Sequence, residues 1–169
     1  EAAPAVPERA AAVQTAFQIG ARAPMAGTIA FLTRMEAEAG TTLRPDTLWT
    51  RFAADALRAA TGAAEITVEL IALGAAPRRL ANPDHARLSA QPEDMSDRPA
   101  AIVLRDLTAS PITTMRVGPG PAPTLSVGTD GESYALTLDY TDGQLSEDTA
   151  VALITGFAER LSEPLLHLI

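Results

Sequence analysis

The clearest pattern of apolar and polar positions lies near the end of the chain, in residues 133–140. Large apolar side chains take every second position there: Tyr134, Leu136, Leu138 and Tyr140. A period of two residues is typical of a strand that buries one face. Residues 141–145, TDGQL, are mostly turn formers. The sequence therefore predicts a half-buried strand that ends in a turn.

A helix and an apolar tail are predicted after this turn. Ser146 can cap the helix, and Glu147 and Asp148 place carboxylates near its positive end. Apolar residues then recur at helical spacing as far as Leu161. Pro164 restricts the residue before it, so we expect the helix to end there. The chain closes on the apolar sequence LLHLI.

Two helices and one strand are predicted in the first half of the chain. A helix over residues 7–20 would carry one apolar stripe, formed by Ala10, Val13 and Phe17. Residues 28–35, TIAFLTRM, are predicted as a strand, although residues of helical composition follow them. A second helix should begin at Pro45 and end at Gly62. Its apolar face includes Trp49, which we interpret as a core anchor.

Several consecutive strands are predicted between this helix and the opening pattern. They fall at residues 65–73, 100–107, 112–117 and 124–128. The polar stretch 74–99 is long for a loop in a compact domain, so part of it is expected to form an edge strand or a turn around ARLSA. The whole order of elements predicts an α+β fold, a sandwich in which helices pack on a mixed sheet.

Composition and charge narrow the classes of function. The 169 residues suit one domain, predicted at residues 9–169 after the end of an Ala/Pro linker at residues 1–8. With no cysteine, a cytoplasmic setting fits best. A net charge of -8 argues against nucleic acid, and no apolar run is long enough to span a membrane. All basic residues are arginine, so no lysine is present for a Schiff base or for lipoate.

The order of residues in the second half resembles a known family. The run LRDLTASPITTMRVGPGPAPTLSVG, the strand, turn and helix after it, and the closing LSEPLLHLI resemble the core domain of the dihydrolipoyl acyltransferases of 2-oxoacid dehydrogenase complexes. TIAFLTRMEAEAG and DTLWTRFAADALRAATG resemble it more faintly. The matching positions are Asp106, Leu107, Gly118, Pro119, Leu125, Val127, Gly128, Tyr140 and residues 161–168. The resemblance implies the chloramphenicol acetyltransferase-like sandwich, in a degenerate form shortened between residues 74 and 99.

The catalytic signature of that family, Asp-His-Arg-x-x-Asp-Gly, aligns without a gap on residues 141–147. These are Thr141, Asp142, Gly143, Gln144, Leu145, Ser146 and Glu147. Asp142 takes the place of the histidine, and a carboxylate is too weak a base to deprotonate a thiol. Gly143 and Ser146 take the places of the arginine and the aspartate. Arg105 stands where the resemblance puts a hydroxyl that stabilises the oxyanion. The resemblance thus implies that no catalytic residues remain.

Candidate chemistry elsewhere in the sequence is sparse. His85 follows Asp84 in the polar stretch and is interpreted as part of a solvated turn. His167 lies in the apolar tail, where we expect it to contact the carbonyls of the last helix. Asp139 and Asp142 are interpreted as caps of backbone amides. No metal site or cofactor is expected, because the two histidines are far apart and lack a carboxylate cluster at ligand spacing.

The sequence is compatible with three functions. The resemblance implies a catalytically inactive core that serves as a structural or assembly component of a 2-oxoacid dehydrogenase complex, as a homo-oligomer, most simply a trimer, or with the other subunits. By the same resemblance, the anchor for a neighbouring subunit would be Leu165, Leu166, Leu168 and Ile169. Alternatively, this tail folds back on its own domain. An active acyltransferase with a non-standard site and a non-enzymatic protein-docking module are the other two functions.

Overall fold

The computed structural model describes residues 3–4, 14–91, 93–116 and 118–168. In these ranges the chain forms six strands and three α-helices, the α+β arrangement that the sequence predicted. The strands are β1 (Ala16–Pro24), β2 (Thr67–Ala72), β3 (Arg78–Ala81), β4 (Ile102–Asp106), β5 (Thr124–Asp130) and β6 (Ser133–Thr141). The helices are α1 (Ala26–Ala39), α2 (Pro45–Thr61) and α3 (Glu147–Ser162), and a 3-10 turn, Pro164–His167, follows α3.

The strands form one mixed sheet in the order β1-β6-β5-β4-β2-β3. β4 runs parallel to both of its neighbours, β2 and β5. The other three pairs, β1 with β6, β5 with β6 and β2 with β3, are antiparallel. Because two parallel strands cannot be joined by a tight hairpin, the segment between β4 and β5 must cross the sheet.

The main core lies between the sheet and the helices. The sheet contributes alternate residues from its central strands: Val68, Leu70, Ile102, Leu104, Leu125, Val127, Leu136 and Leu138. From the helices, Phe52 and Phe157 are completely buried. Trp49 packs edge-on against Tyr134, with 5.9 Å between ring centroids, and is the core anchor that the sequence predicted. Burial of each large side chain contributes about 1.5–3 kcal/mol, so this layer dominates the stability of the fold.

The predictions for α2, β2, β4, β5, β6 and α3 are confirmed. α2 begins at Pro45 and ends at Gly62, whose left-handed conformation (φ 72°) lets its N–H bond the carbonyl of Arg58. Ser146 caps α3, because its hydroxyl accepts a hydrogen bond from the N–H of Thr149 at 3.2 Å. Local signals were sufficient for these elements.

The prediction of a helix over residues 7–20 is wrong where the structure describes it. Ala10 and Val13 lie outside the described residues, but Ala16–Pro24 is strand β1. Every residue of β1 pairs with β6. The side chains on the α3 side of β1 follow a period of two, and alanine makes that alternation faint. They are Phe17, Ile19, Ala21 and Ala23. Pairing with β6 therefore makes this segment a strand, although its local propensity favours a helix.

The strand predicted at residues 28–35 is also wrong, because those residues belong to helix α1. Thr28 and Phe31 are buried and Leu32 and Met35 pack against the core, a spacing of three and four residues that matches a helix. The hydroxyl of Thr28 donates to the carbonyl of Leu161 at 2.7 Å, which ties α1 to the end of α3.

ARLSA forms turns, one of the two alternatives predicted for it, and the edge strand of the polar stretch is β3, Arg78–Ala81. The strand predicted at residues 112–117 is wrong. Residues 112–116 form no strand, and Val117 lies outside the described residues. The segment instead crosses the sheet face that carries no helix, where a side chain on Gly128 would come within 2.8 Å of the carbonyl oxygen of Ile112. β4 and β6 already occupy both edges of β5, so no further strand can pair there.

Candidate functional site

The turn that aligns with the family's catalytic signature connects β6 to α3. Thr141 is the last residue of β6 and is buried, whereas Asp142 and Gly143 are exposed in the turn. Ser146 and Glu147 are exposed at the start of α3, where Ser146 serves as the cap. Each of these residues has a structural place that requires no catalytic role.

Gln144 fixes the turn through its side-chain amide, a role that the sequence did not reveal. Its Oε1 accepts a hydrogen bond from the N–H of Thr141 at 3.0 Å. Its Nε2 donates to the carbonyl of Gly120 at 2.7 Å. Gln144 therefore joins the turn to the loop before β5. The sequence carries no signal for this contact, since the partner is a backbone carbonyl in a distant segment.

A small polar cavity of about 50 Å³ lies between the turn and that loop. Thr141, Asp139, Gln144 and Arg116 contribute its polar lining. The hydroxyl of Thr141 is buried and has no hydrogen-bond partner among the described residues. Such a cavity has room for ordered water, whereas small-molecule pockets usually enclose about 300–1,000 Å³. This cavity is thus too small for an acyl donor, whereas a wider, open groove of about 580 Å³ lies on the other side of the turn, beside Asp142 and Leu145.

The structure does not bring the other candidate residues to this turn. Arg105 pairs with Ser126, which in turn pairs with Thr137 of β6. Arg105 therefore lies two strands away from β6, level with Thr137, and Thr141 lies four residues further along β6. The two residues are roughly 16 Å apart. His85 follows β3 at the far edge of the sheet, four strand spacings or roughly 19 Å away. Neither of these side chains lies within reach of the turn.

Three side chains have contacts that differ from those expected. Asp139 caps no backbone amide among the described residues and accepts a hydrogen bond from Gln18 Nε2 on β1 at 2.8 Å. Asp142 accepts no side-chain hydrogen bond from the described residues. His167 lies in the 3-10 turn and makes no side-chain hydrogen bond with a described carbonyl. The expected caps at these positions are therefore absent from the described part of the chain.

Asp84, beside His85, belongs to a structural cluster. Its carboxylate is held by Arg58, with Nε to Oδ2 at 2.7 Å and the second pair at 3.1 Å. Arg58 also donates to the side chain of Asn82 at 2.9 Å. Burial opposes ionisation of Asp84, but the hydrogen bonds and charge of Arg58 outweigh it, and the pKa of Asp84 is lowered. His85 Nε2 is 3.6 Å from a carboxylate that is already paired. The cluster ties the loop after β3 to α2.

A second carboxylate, Asp94, organises the rest of the polar stretch. It accepts hydrogen bonds from the backbone and hydroxyl of Ser96 and from the hydroxyl of Thr67. These bonds stabilise the ionised form, first those from Ser96, and lower the pKa of Asp94 to about 2. The long stretch between β2 and β4 is therefore held by fixed polar contacts.

The predicted assembly anchor divides into two parts. Leu168 packs partly buried against the chain's own core, and Ile169 lies outside the described residues. Leu165 and Leu166 are exposed, at 48% and 67% of their surface. They border a groove of about 360 Å³ between the tail and α1, whose lining includes Phe31. Leu168 thus packs on its own domain, whereas a subunit contact through Leu165 and Leu166 stays a prediction.

Two further features were sought among the described residues, a metal site and a membrane-spanning helix. Across the ranges of the chain that the structure covers, no three histidine, aspartate or glutamate side chains come together as a metal site would require. Of the described helices, none is both long and apolar enough to cross a membrane.

The fold is that of the chloramphenicol acetyltransferase-like acyltransferases. No family model and no curated protein sequence matches the chain. A solved structure described as the cubic core of the pyruvate dehydrogenase multienzyme complex superposes with a TM-score of 0.67 at 15% identity, and covers 92% of this chain and 85% of that one.

Two further solved structures share this fold. The dihydrolipoamide acetyltransferase of Azotobacter vinelandii superposes with a TM-score of 0.65 at 16% identity, over 92% of this chain and 85% of that one. A chloramphenicol acetyltransferase superposes with a TM-score of 0.57 at 13% identity, over 86% and 85% of the two chains. At these identities the likeness establishes the fold, which confirms the sandwich predicted from the sequence.

Asp84→Asn tests the structural interpretation of the His85 region. Loss of the carboxylate leaves Arg58 without its main partner, and we expect the free energy of unfolding at pH 7 to fall by about 3 kcal/mol. His85→Ala, the matched control, should change it by less than about 0.5 kcal/mol. Urea unfolding measures both. A larger loss in His85→Ala than in Asp84→Asn would contradict this interpretation.

The difference in stability between the wild type and Asp84→Asn is also predicted to depend on pH. Since the pKa of Asp84 is lowered in the folded state, the stability it provides is complete above its ordinary value of 3.8. That contribution is lost as the pH falls through the folded value. The stability difference between the wild type and Asp84→Asn should therefore narrow below about pH 4 in urea unfolding. A stability difference that grows as the pH falls would contradict the lowered pKa of Asp84.

Proposed function

We propose that this chain is a catalytically inactive relative of the dihydrolipoyl acyltransferase core, and that it serves as an assembly component of a 2-oxoacid dehydrogenase complex. The fold supports the comparison with those cores. The proposal has two parts, the loss of catalysis at the β6–α3 turn and the retention of a subunit contact at the tail. One observation carries it: the acyltransferase sandwich surrounds a turn that no imidazole reaches.

Loss of the base is the support for inactivity. In the Azotobacter vinelandii enzyme, a serine, a histidine and an asparagine are tied to the catalytic mechanism. In this chain the only histidines are His85, at the far edge of the sheet, and His167, beyond α3. A thiol nucleophile needs a base within hydrogen-bond reach, directly or through one water. Asp142 is exposed at the aligned position, and its carboxylate is too weak a base to deprotonate a thiol.

The exposed part of the tail supports the assembly role. Leu165 and Leu166 leave apolar surface in solvent next to an apolar groove. Burial of two such side chains would contribute about 1.5–3 kcal/mol each to a subunit contact. Contiguous exposed apolar surface of this kind marks interaction sites. A homotrimer, or association with the other subunits of the complex, in a cytoplasmic setting, completes the proposal.

An assay of acetyl transfer from acetyl-CoA to dihydrolipoamide tests the loss of catalysis. The account predicts no turnover above the uncatalysed rate for the full chain. An acyltransferase core of known activity serves as the positive control. Turnover of about 1 s⁻¹ or more would place the chain among ordinary enzymes and exclude the inactive role. In that case, loss of turnover in His85→Ala would identify the loop histidine as part of a non-standard site.

The double variant Leu165→Ser/Leu166→Ser tests the tail contact. Because both side chains are exposed on the single chain, we expect the variant to lower the assembled mass in light scattering without changing the urea midpoint of the monomer. Leu168→Ser is the matched control, since Leu168 packs on the chain's own core and its loss should reduce stability. An unchanged mass in the double variant would rule out the anchor.

A non-enzymatic docking module is the remaining alternative. The exposed leucines are equally suited to a partner outside any dehydrogenase complex. Monomeric behaviour of the wild type, combined with no binding to purified dehydrogenase components, would favour that function over assembly. Binding to a component that is lost in the double variant would favour assembly.

A further inference from the structure

The outer edge of β1 has no strand beside it among the described residues. β1 is nine residues long, and Gln18, Gly20, Arg22 and Pro24 along it are exposed. A long exposed edge is a template for pairing with another strand, and proteins usually protect it with charges, proline or bulges. Here Arg22 and Pro24 protect only one end. Within the described part of the chain, the rest of the edge is open.

The hydrogen-bond register identifies which backbone groups face outward. Thr15 accepts a hydrogen bond from the N–H of Asp142, and Met25 donates to the carbonyl of Glu132. Residues 15 and 25 thus bond toward β6, and in an antiparallel pair this direction alternates along the strand. The odd-numbered residues of β1 bond to β6. The N–H groups of Ala16, Gln18, Gly20 and Arg22 therefore point to the open edge.

An apolar groove lies beside this edge, on the face that carries α3. Phe17, Ile19, Leu145 and Val151 line it, and its volume is about 580 Å³. Phe17 is 42% exposed and Val151 47% exposed, although Phe17 also stacks on Tyr140 with 5.5 Å between ring centroids. The edge thus offers main-chain donors and acceptors together with an apolar surface, the two features that strand addition uses.

We propose that the open edge of β1 pairs with β1 of a second copy of this chain, antiparallel across a two-fold axis, so that the two sheets become continuous. This contact uses none of the tail residues of the proposed assembly role and does not depend on it. A two-fold contact requires one self-complementary surface. β1 meets that requirement in its pattern of side chains.

Side-chain complementarity comes from the register with Gln18 opposite Gln18 of the second copy. Phe17 then lies opposite Ile19 of the second copy, and Ile19 opposite Phe17. These are non-hydrogen-bonded positions of the new pair, where opposed side chains approach most closely. The pairing would therefore cover the exposed Phe17 with an apolar partner. A heterologous strand would need a matching pattern from elsewhere.

Charges along β1 do not oppose the antiparallel arrangement. Arg22 lies on the sheet face opposite the groove, beside Thr113 and Asp130. With Gln18 opposite Gln18, Arg22 lies opposite Gln14 of the second copy. Asp130 already pairs with Arg22 within one chain at 2.8 Å, so the two arginines add little repulsion. No like charges are opposed along β1 itself.

Gly20→Pro in the full chain tests the contact by sedimentation equilibrium. The Gly20 N–H points outward, so proline removes a donor of the new pair without breaking a bond to β6. With the tail contact removed by Leu165→Ser/Leu166→Ser, we expect the chain to sediment with twice its own mass, and Gly20→Pro to weaken this dimer at least about tenfold. Gly20→Ala is the matched control and should remain dimeric, because its Cβ meets only the carbonyl oxygen of Leu136, at 3.9 Å.

Gly20→Lys provides a second blocking variant in case the proline disturbs folding. All variants are repeated with Leu165→Ser/Leu166→Ser, which should leave the β1 dimer intact and so separates this contact from the tail. The proposal is overturned if the wild type is a monomer, or if its mass is unchanged in a folded Gly20→Pro or Gly20→Lys protein. An assembly that depends only on the tail would also overturn it.

Cross-linking checks the register directly, since the chain has no cysteine of its own. Gln18→Cys should form a disulfide-linked dimer under mild oxidation, because opposed residues of an antiparallel pair lie within disulfide reach. Glu38→Cys, exposed on α1, is the matched control. Cross-linking of Gln18→Cys no faster than that of the control would count against the pairing.

Discussion

The antiparallel pairing of β6 with both of its neighbours is the interaction on which the rest of the structure depends. Every residue of β6 pairs with β1 on one side, and seven of them pair with β5 on the other. The alternating side chains Tyr134, Leu136, Leu138 and Tyr140 are thereby buried against the helices. The same pairing fixes the place of the turn before α3 and leaves β1 at one edge of the described sheet.

Structural contacts alone hold the turn after β6 in place. α3 begins directly after the turn with a hydroxyl cap, and Gln144 holds the turn against the loop before β5. None of these contacts needs a catalytic residue. The sandwich can therefore persist with Asp142 at the position where the resemblance places a base, because the packing of the helices on the sheet supplies its stability.

Local patterns predicted much of this fold and failed for particular reasons. β6, α2 and α3 combine strong periodicity with clear end signals, and all three were correct. β1 and α1 are rich in alanine, so the contrast between buried and exposed positions is weak and tertiary pairing decides. Residues 112–116 had a strand-like composition, yet the sheet has no free edge beside β5 to receive them.

At the candidate site, the sequence predicted the lack of a histidine better than it predicted the contacts between side chains. The absence of a suitable histidine follows from the sequence and its alignment. The Gln144–Gly120 contact, the Arg58–Asp84 pair and the different exposure of Leu166 and Leu168 depend on segments that are distant in the chain. Such contacts have no local signature, so only the three-dimensional structure reveals them.

Calorimetric titration of acetyl-CoA into the full chain tests most directly whether a substrate site remains. The account predicts no saturable heat up to about 1 mM, the upper end of ordinary Michaelis constants, because binding of the acyl donor belongs to the catalytic role that we propose is lost. Binding of one acetyl-CoA per chain with a dissociation constant below about 100 µM would contradict the account.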